Sequence, residues 1–438
     1  MSILLHLDKH FRQIKKGGIF VIIKKLKSLF YLILQLPIYF ISIPTVIIIR
    51  LVRPWFLIRW NTLHSSRIGH FAKEVELYCC ERDSRINIPS QRYIDFFYLR
   101  KKYVCNRQLE KMWRRNLIVL PRWLLFPVSI VNRFINRFVS GGDYHEIGNN
   151  ANGGRDIYNL FDQFKPHINF TYDEEIKGKK ILTEFGIPED AMFVCLLVRD
   201  SGYLDRHKEY EFLGKRWSYH NYRDGDIDNY VLAAEELASR GYYIFRMGAK
   251  VLKPLKSSNP KIIDYANSKI RSDFMDIYLG AKCRFCVSIP TGFDGIPMIF
   301  RKPIAYTGHV PIADFEFHNK ESLILTKHHI NKRNQKELTL SEIFSSNVAV
   351  SLRTNEFKKN EVELEENSPE EIRDLVIEMD ERLNGRWKDT KEDLLLQKKF
   401  WSIFEDRVKR LNLKELLPGK RRARFGAKFL RENQNWIR

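Results

Sequence analysis

Phe193–Val198, FVCLLV, is an unbroken apolar run followed at once by Arg199-Asp200-Ser201-Gly202. A run that is apolar at every position, not at alternate ones, marks a parallel strand covered on both faces. The residues beyond it extend that pattern. Asp226–Arg240 places Ile227, Tyr230, Val231, Ala234 and Leu237 at helical spacing, with Asp226 as a cap and Gly241 as a stop. Tyr242–Arg246 and Lys261–Tyr265 read as strands, and Ser272–Gly280 as a helix capped by Ser272. Arg284–Ile289 is a strand, Phe293–Phe300 a short helix and Pro303–Tyr306 another strand. Strands separated by helices of this size build a doubly wound parallel sheet.

Toward the N-terminus the same alternation starts again. Phe56–Trp60 reads as a buried strand, Asn61–Gly69 as a loop and His70–Cys80 as a helix. Tyr103–Asn116 is helical in pattern and Leu117–Leu120 strand-like, while Gly141–Gly154, rich in Gly and Asn, reads as a linker. From about residue 368 the chain turns helical and charged. Ser368 caps one helix, a second covers about 390–413, and a basic tail, Lys420–Arg424, follows. The expected division is therefore 1–53, 54–150, 151–367 and 368–438. The middle two segments are α/β, Rossmann-like domains facing a cleft.

Composition narrows the function classes. The chain has 438 residues, with 44% hydrophobic, which is too apolar for a disordered chain. Six cysteines at irregular spacing do not make a disulfide framework and fit a reducing compartment. The net charge is +21, and residues 1–150 hold 25 Lys+Arg against 9 Asp+Glu, leaving +5 for the rest. A basic front end beside apolar sequence implies an anionic membrane surface or an anionic ligand. Ser28–Ile49 is free of charge for 22 residues, about the length of a bilayer core. Basic flanks on both sides, with Pro37 and Pro44 inside, fit a re-entrant or interfacial hairpin with both ends cytoplasmic better than a span or a core helix. No nucleic-acid-binding motif accompanies the charge, so nucleic acid is not an expected partner.

In open α/β sheets the ligand lies outside the carboxyl ends of the strands. That rule selects Arg199 and Asp200, Arg246 and Gly248, Asp264, and Thr291-Gly292. Two arginines with a Thr-Gly at a helix start make a diphosphate site, through paired guanidinium bonds and backbone N–H groups. Asp264 suits a ribose or sugar hydroxyl, or a cap. His70, entering the first helix after Gly69, is a candidate general base, the role to which an imidazole is suited, and Glu74 and Glu76 on the same helix are rival bases. Cys283-Arg-Phe-Cys286 has no second pair at zinc spacing and reads as core packing. There is no P-loop, no G-x-G-x-x-G, no H-E-x-x-H and no G-x-S-x-G.

With these residues in view the chain resembles an uncharacterised bacterial family assigned to glycosyl transfer in surface-polysaccharide biosynthesis. The likeness lies in VRD at Val198–Asp200, YRDGDIDNY at Tyr222–Tyr230, RMG at Arg246–Gly248 and IDYANS at Ile263–Ser268. It continues through SDFMDIYLGAKCRF at Ser272–Phe285, TGFDGIPMIFRKPI at Thr291–Ile304, RIGHFAKEVELY at Arg67–Tyr78 and GAKFLREN at Gly426–Asn433. More distantly it is similar to GT-B fucosyltransferases, whose H-x-R-x-x-D arginine contacts the donor diphosphate. Arg199 matches that arginine, a leucine replaces the histidine, and Pro290-Thr291 replaces a serine pair. Gly69-His70 is similar in placement to the Gly-Asp base loop of heptosyltransferases.

The resemblance implies a GT-B-like glycosyltransferase. It would carry a sugar from a nucleotide-sugar donor to a polysaccharide or lipid-linked glycan at the cytoplasmic face of the plasma membrane. Fixed cations would do the work of a metal, and no cofactor is expected. The alternative is a non-catalytic membrane adaptor or scaffold in polysaccharide assembly.

Overall fold

The computed structural model describes residues 36–148, 154–203, 214–315, 319–412 and 423–438, with a few positions between 19 and 26. Along the chain, residues 36–52 form helix α1. It is followed by β1 (Leu57–Leu63), α2 (Ile68–Asp83), β2 (Tyr93–Leu99), α3 (Arg107–Arg114), β3 (Ile118–Val119) and α4 (Arg122–Ile135). Contacts divide the chain into two compact units that interleave in sequence. The first holds the residues up to Leu63, Pro89–Arg100 and Leu117–Gly148, and the second holds His64–Ile88, Lys101–Asn116 and Asn149 onward. Thus α2 and α3, which the 54–150 boundary assigns to an N-terminal domain, pack with the second unit.

The first unit is a parallel sheet in the order β1-β2-β3 with α1 and α4. Leu57 to Leu63 pair in register with Tyr93 to Leu99. Val46, Trp60, Tyr98, Leu125, Val128 and Val131 make its core. Arg59 crosses to its register partner Asp95 through two bonds of 2.7 Å, so a buried guanidinium is matched by a carboxylate. Arg50 ties α1 to α4, donating to the Asn132 side chain and carbonyl, each at 3.0 Å.

Of the apolar segment Ser28–Ile49, residues 28–35 lie outside the described residues. From residue 36 the helix runs unbroken through Pro37 and Pro44 to residue 52, so no hairpin turn falls there. Ser42 and Thr45 turn their hydroxyls back onto the Ile38 and Ile41 carbonyls, at 2.7 and 2.9 Å. Among the described residues no helix is long and apolar enough to cross a membrane.

The second unit begins at α2 and continues with α5 (Tyr172–Glu184), β4 (Phe193–Leu197), α6 (Val231–Ser239), β5 (Tyr243–Arg246), β6 (Ile262–Ile263), α7 (Asp273–Lys282) and β7 (Phe285–Ser288). Then come α8 (Gly295–Ile299), β8 (Ile304–Tyr306), β9 (Leu323–Ile324) and an antiparallel trio of β10 (His328–Asn331), β11 (Lys336–Glu337) and β12 (Val362–Glu365). Two long helices, α9 (Pro369–Leu383) and α10 (Lys391–Arg410), precede β13 (Arg424–Phe425) and a short final helix. The main sheet has seven parallel strands in the order β13-β9-β8-β7-β4-β5-β6. Counted from β4, six of them follow the order 3-2-1-4-5-6, the Rossmann arrangement, with β13 added at the edge. All five residues of β4 are buried at the sheet's centre, as its continuous apolar sequence predicts.

Local signals account for the helix starts. Ser272 accepts from the Met275 N–H, Asp226 from Asp228 N–H, and Ser368 forms a capping box with Glu371 ahead of Pro369. Cys195 on β4, Cys286 on β7 and Cys283 just before β7 are fully buried. Of the expected basic tail, residues 420–422 lie outside the described residues, while Arg424 is a strand residue paired with Asp389 at 2.9 Å.

Candidate functional site

The strand order places the topological switch between β4 and β7, and a ligand belongs at their carboxyl ends. The N-terminus of α2 docks there. A Cβ on Gly69 would lie 2.8 Å from the Gly292 carbonyl oxygen, and one on Gly295 would lie 3.2 Å from Ala72 Cβ. Small residues on both sides let the backbones meet. His70 is thereby carried to the end of β7.

His70 does not stand alone. Its Nδ1 lies 2.7 Å from Glu74 Oε1, one turn along α2, and His64 Nδ1 lies 2.9 Å from the other oxygen, Oε2. The two rings meet edge to face with centroids 5.7 Å apart. Burial alone would raise the Glu74 pKa, but the bonds and charge of His64 and His70 outweigh it and bring the carboxyl down to about 2. An ionised carboxylate only accepts, so the His70 Nδ1–H donates to Glu74 and Nε2 is the ring nitrogen on the far side from it. The His70 side chain is 41% exposed, enough to meet a ligand. The two imidazoles and Glu74 also bring three potential ligand atoms within 4.8 Å of one another, a set of the kind that holds a divalent cation.

A second cluster sits over the end of β4. Gly225 donates its N–H to the Arg199 carbonyl at 2.9 Å. A Cβ on Gly225 would lie 2.2 Å from Ile289 Cδ1, just past β7. Arg199 Nη1 pairs with Asp224 and donates to the His220 carbonyl at 3.0 Å. Lys327 Nζ donates to the Asp224 carbonyl at 2.6 Å. Burial pushes the Asp224 carboxyl up to about 6 against the pull of Arg199 and Lys327, and lowers the pKa of the Arg199 and Lys327 cations themselves. Around His220 stand Arg223, whose Nη2 is 3.3 Å from the ring Nδ1, and Trp217, stacked at 5.9 Å. Arg67, three residues before His70, lies 5.2 Å over the Trp217 ring, and Arg353 lies 5.8 Å over Tyr219. Burial, then the charges of Arg223, Arg199, Arg67 and Arg353, push the His220 pKa down to about 4, so this imidazole is neutral.

The remaining sequence-derived candidates are placed differently. Arg246 is 1% exposed, with Nη1 3.2 Å from Asp264, Nη2 3.8 Å from Asp200 and Nη2 also 3.1 Å from the Lys253 carbonyl. Asp200 in turn accepts from the Gly202 and Leu252 N–H groups at 2.8 and 2.9 Å, and Asp264 from Leu255 N–H at 3.2 Å. Arg246, Asp200 and Asp264 thus form a buried ion cluster joining the ends of β4, β5 and β6, in which Arg246 Nε has no hydrogen-bond partner among the described residues. Gly248, with φ +154°, turns the chain out of β5, and its carbonyl accepts from Arg271. Thr291 caps a short turn together with Asp294, whose carboxylate takes the Thr291 N–H at 2.7 Å. That helix start already holds its own anion, and Gly292 is covered by Gly69. Glu76 is fully buried, held by Arg301 at 2.5 Å and His167 at 3.0 Å. It closes a structural ion cluster and has no path to a substrate hydroxyl.

Sequence reading missed His64, the 217–223 stretch, Lys327 and Arg353, which lie far from Arg199 in the chain and join it through loops. One signal was present: Asp224-Gly225-Asp226-Ile227-Asp228 contains Asp-x-Asp twice. Its carboxylates face cations of the chain, Asp224 on Arg199 and both Asp226 and Asp228 on Lys253.

No protein-family model and no curated protein matches the sequence. Two solved structures share a partial likeness. A glycosyl transferase family 9 protein from Veillonella parvula aligns with a TM-score of 0.33 and 9% identity, over 57% of this chain and 79% of that one. E. coli ADP-heptose LPS heptosyltransferase II aligns with a TM-score of 0.32 and 12% identity, over 57% and 84%. At these values neither likeness fixes the fold or the activity of this chain.

Proposed function

We propose that the chain is a metal-independent glycosyltransferase, moving a sugar from a nucleoside-diphosphate donor to a hydroxyl of a polysaccharide or lipid-linked glycan. The observation that carries this reading is the docking of α2 on Gly292, which sets His70, oriented by Glu74, at the switch point of a Rossmann-ordered sheet. His70 Nε2 takes the proton of the acceptor hydroxyl as its oxygen bonds to the anomeric carbon. The bond from that carbon to the diphosphate oxygen breaks, and the electron pair leaves on the diphosphate. Arg199 spends Nη1 on Asp224 and His220, which among the described residues leaves Nε and Nη2 for that developing charge, with Lys327 behind it. The reading keeps the chain at the cytoplasmic face of a membrane, supported by the exposed apolar side chains of α1 and α4.

The test is thermal unfolding of the full chain with UDP, GDP, CDP and dTDP, for the wild type and for His70→Asn. Stabilisation of both proteins by one nucleotide, with transfer of sugar lost only in His70→Asn, is the expected result. No stabilisation by any of the four would favour the adaptor alternative.

A further inference from the structure

The cations near His70 fall into two groups. Arg199 and Lys327 are held against Asp224, whereas Arg67, Arg223 and Arg353 have no carboxylate partner among the described residues. They rest on rings instead: Arg67 on Trp217, Arg223 against His220, Arg353 over Tyr219. Those rings are themselves stacked, Trp217 on Tyr219 at 5.9 Å and Tyr219 on His220 at 4.0 Å. Arg223 Nε is buried and unbonded among the described residues. Three guanidiniums gathered with no ion-paired carboxylate among the described residues repel one another, and their charges help keep His220 beside them uncharged. Such an arrangement is stable and useful when an anion completes it.

The position of Arg67 says which anion. It is the N-cap residue of α2, three residues before His70, so its side chain leaves the chain within one turn of the base. A group held by Arg67 sits beside the base, where the attacking hydroxyl must be, while the departing diphosphate lies toward Arg199. We infer that Arg67, Arg223 and Arg353 form an acceptor subsite for an acidic sugar, one bearing a carboxylate or phosphate close to its reacting hydroxyl. The inference rests on the glycosyltransferase reading for the word acceptor, though not for the anion site itself.

The experiment measures binding of glucuronic acid and glucose 6-phosphate, against glucose, to the full chain by calorimetry and Trp fluorescence. It is run with and without the nucleoside diphosphate that best raises the melting temperature. Both acidic sugars should bind, glucose should not, and saturating nucleotide should leave their binding in place. Arg67→Gln and Arg353→Gln remove exposed side chains and should not unfold the protein; each should weaken the acidic sugars about tenfold. Arg→Lys at the same positions should recover part of the loss, and affinity should fall with salt. Equal binding of glucose and the acidic sugars, or an unchanged affinity in both Gln variants, overturns the inference. So does displacement of the acidic sugars by the nucleotide, which would assign these arginines to the donor. If no nucleotide protects the chain yet the acidic sugars bind at these arginines, the anion site stands and the transferase reading falls.

Discussion

Gly69 and Gly292 meet backbone to backbone: a Cβ on Gly69 would sit 2.8 Å from the Gly292 carbonyl oxygen and 3.0 Å from its Cα. Gly292 is the first residue of the turn that leaves β7, and Gly69 is the second residue of α2. Their contact therefore couples the end of a central strand to the helix that carries His70 and Glu74. A few tenths of an ångström at this point moves the imidazole relative to whatever binds at the strand ends.

Gly69→Ala should be destabilising. Its new methyl meets backbone, which gives way less easily than a side chain, so the cost should be about 1–3 kcal/mol. Gly148, with open space around its Cβ direction, is the control and should tolerate alanine. Chemical denaturation of the two variants checks this; equal stability would mean that α2 and the β7 turn do not approach so closely.

The sheet was legible where the sequence was monotonous. FVCLLV at Phe193–Val198, and the helix–strand alternation after it, gave the central strands to within a residue or two, because strands buried on both faces have no polar positions to confuse the pattern. The antiparallel β10, β11 and β12 were not seen, being short and half exposed, and β13 was hidden in what reads as a basic tail. The site was half legible. His70 and Arg199 follow from position after a strand or glycine, but Arg246 obeys the same rule and is spent on Asp264 and Asp200. Position in a sequence says which side chain reaches the strand end, not which carboxylate has already claimed it.

Arg246→Ala should therefore act on the fold and not on the ligand. Removing a guanidinium that is 1% exposed leaves Asp200 and Asp264 without their cation, and breaking a buried pair of this kind costs about 3–5 kcal/mol. The expected result is a large drop in melting temperature or a loss of soluble protein. A stable Arg246→Ala that merely fails to respond to nucleotides would return Arg246 to the binding site.

His328 gives the fold a pH dependence on the alkaline side. Its Nδ1 lies 2.7 Å from Glu337 and its Nε2 3.0 Å from Glu371, tying β10 to β11 and to the first turn of α9. Burial disfavours the imidazolium, but the two carboxylates outweigh it and push the pKa up to about 10. A folded pKa above the ordinary value of about 6.5 means that the stabilisation is complete below that pH and is lost as pH rises toward 10. It should amount to a few kcal/mol. His328→Gln should lower stability at pH 6 far more than at pH 10. Urea midpoints for both proteins across that range measure it, and parallel curves would remove His328 as the source.

The first unit offers a direct test of the membrane part of the reading. On α4 and just beyond it Phe134 and Phe138 are 58% and 75% exposed, their rings 5.4 Å apart, and Trp123 and Ile130 are exposed on the same helix. Large apolar side chains are seldom left in water together without a surface to meet. Within residues 36–63, 89–100 and 117–148 there are 8 arginines against 3 acidic residues, and Arg59 and Arg133 already neutralise Asp95 and Glu146. An apolar patch with surplus arginine matches an anionic lipid surface. The full chain should sediment with vesicles containing phosphatidylglycerol more than with phosphatidylcholine alone, and less so in high salt. Phe134→Ser with Phe138→Ser should cut that binding by about tenfold or more, since each ring contributes about 1.5–3 kcal/mol on burial. The melting temperature should stay unchanged, because neither ring is buried in the folded chain. Vesicle binding that survives the double substitution would place the lipid contact on another part of the chain.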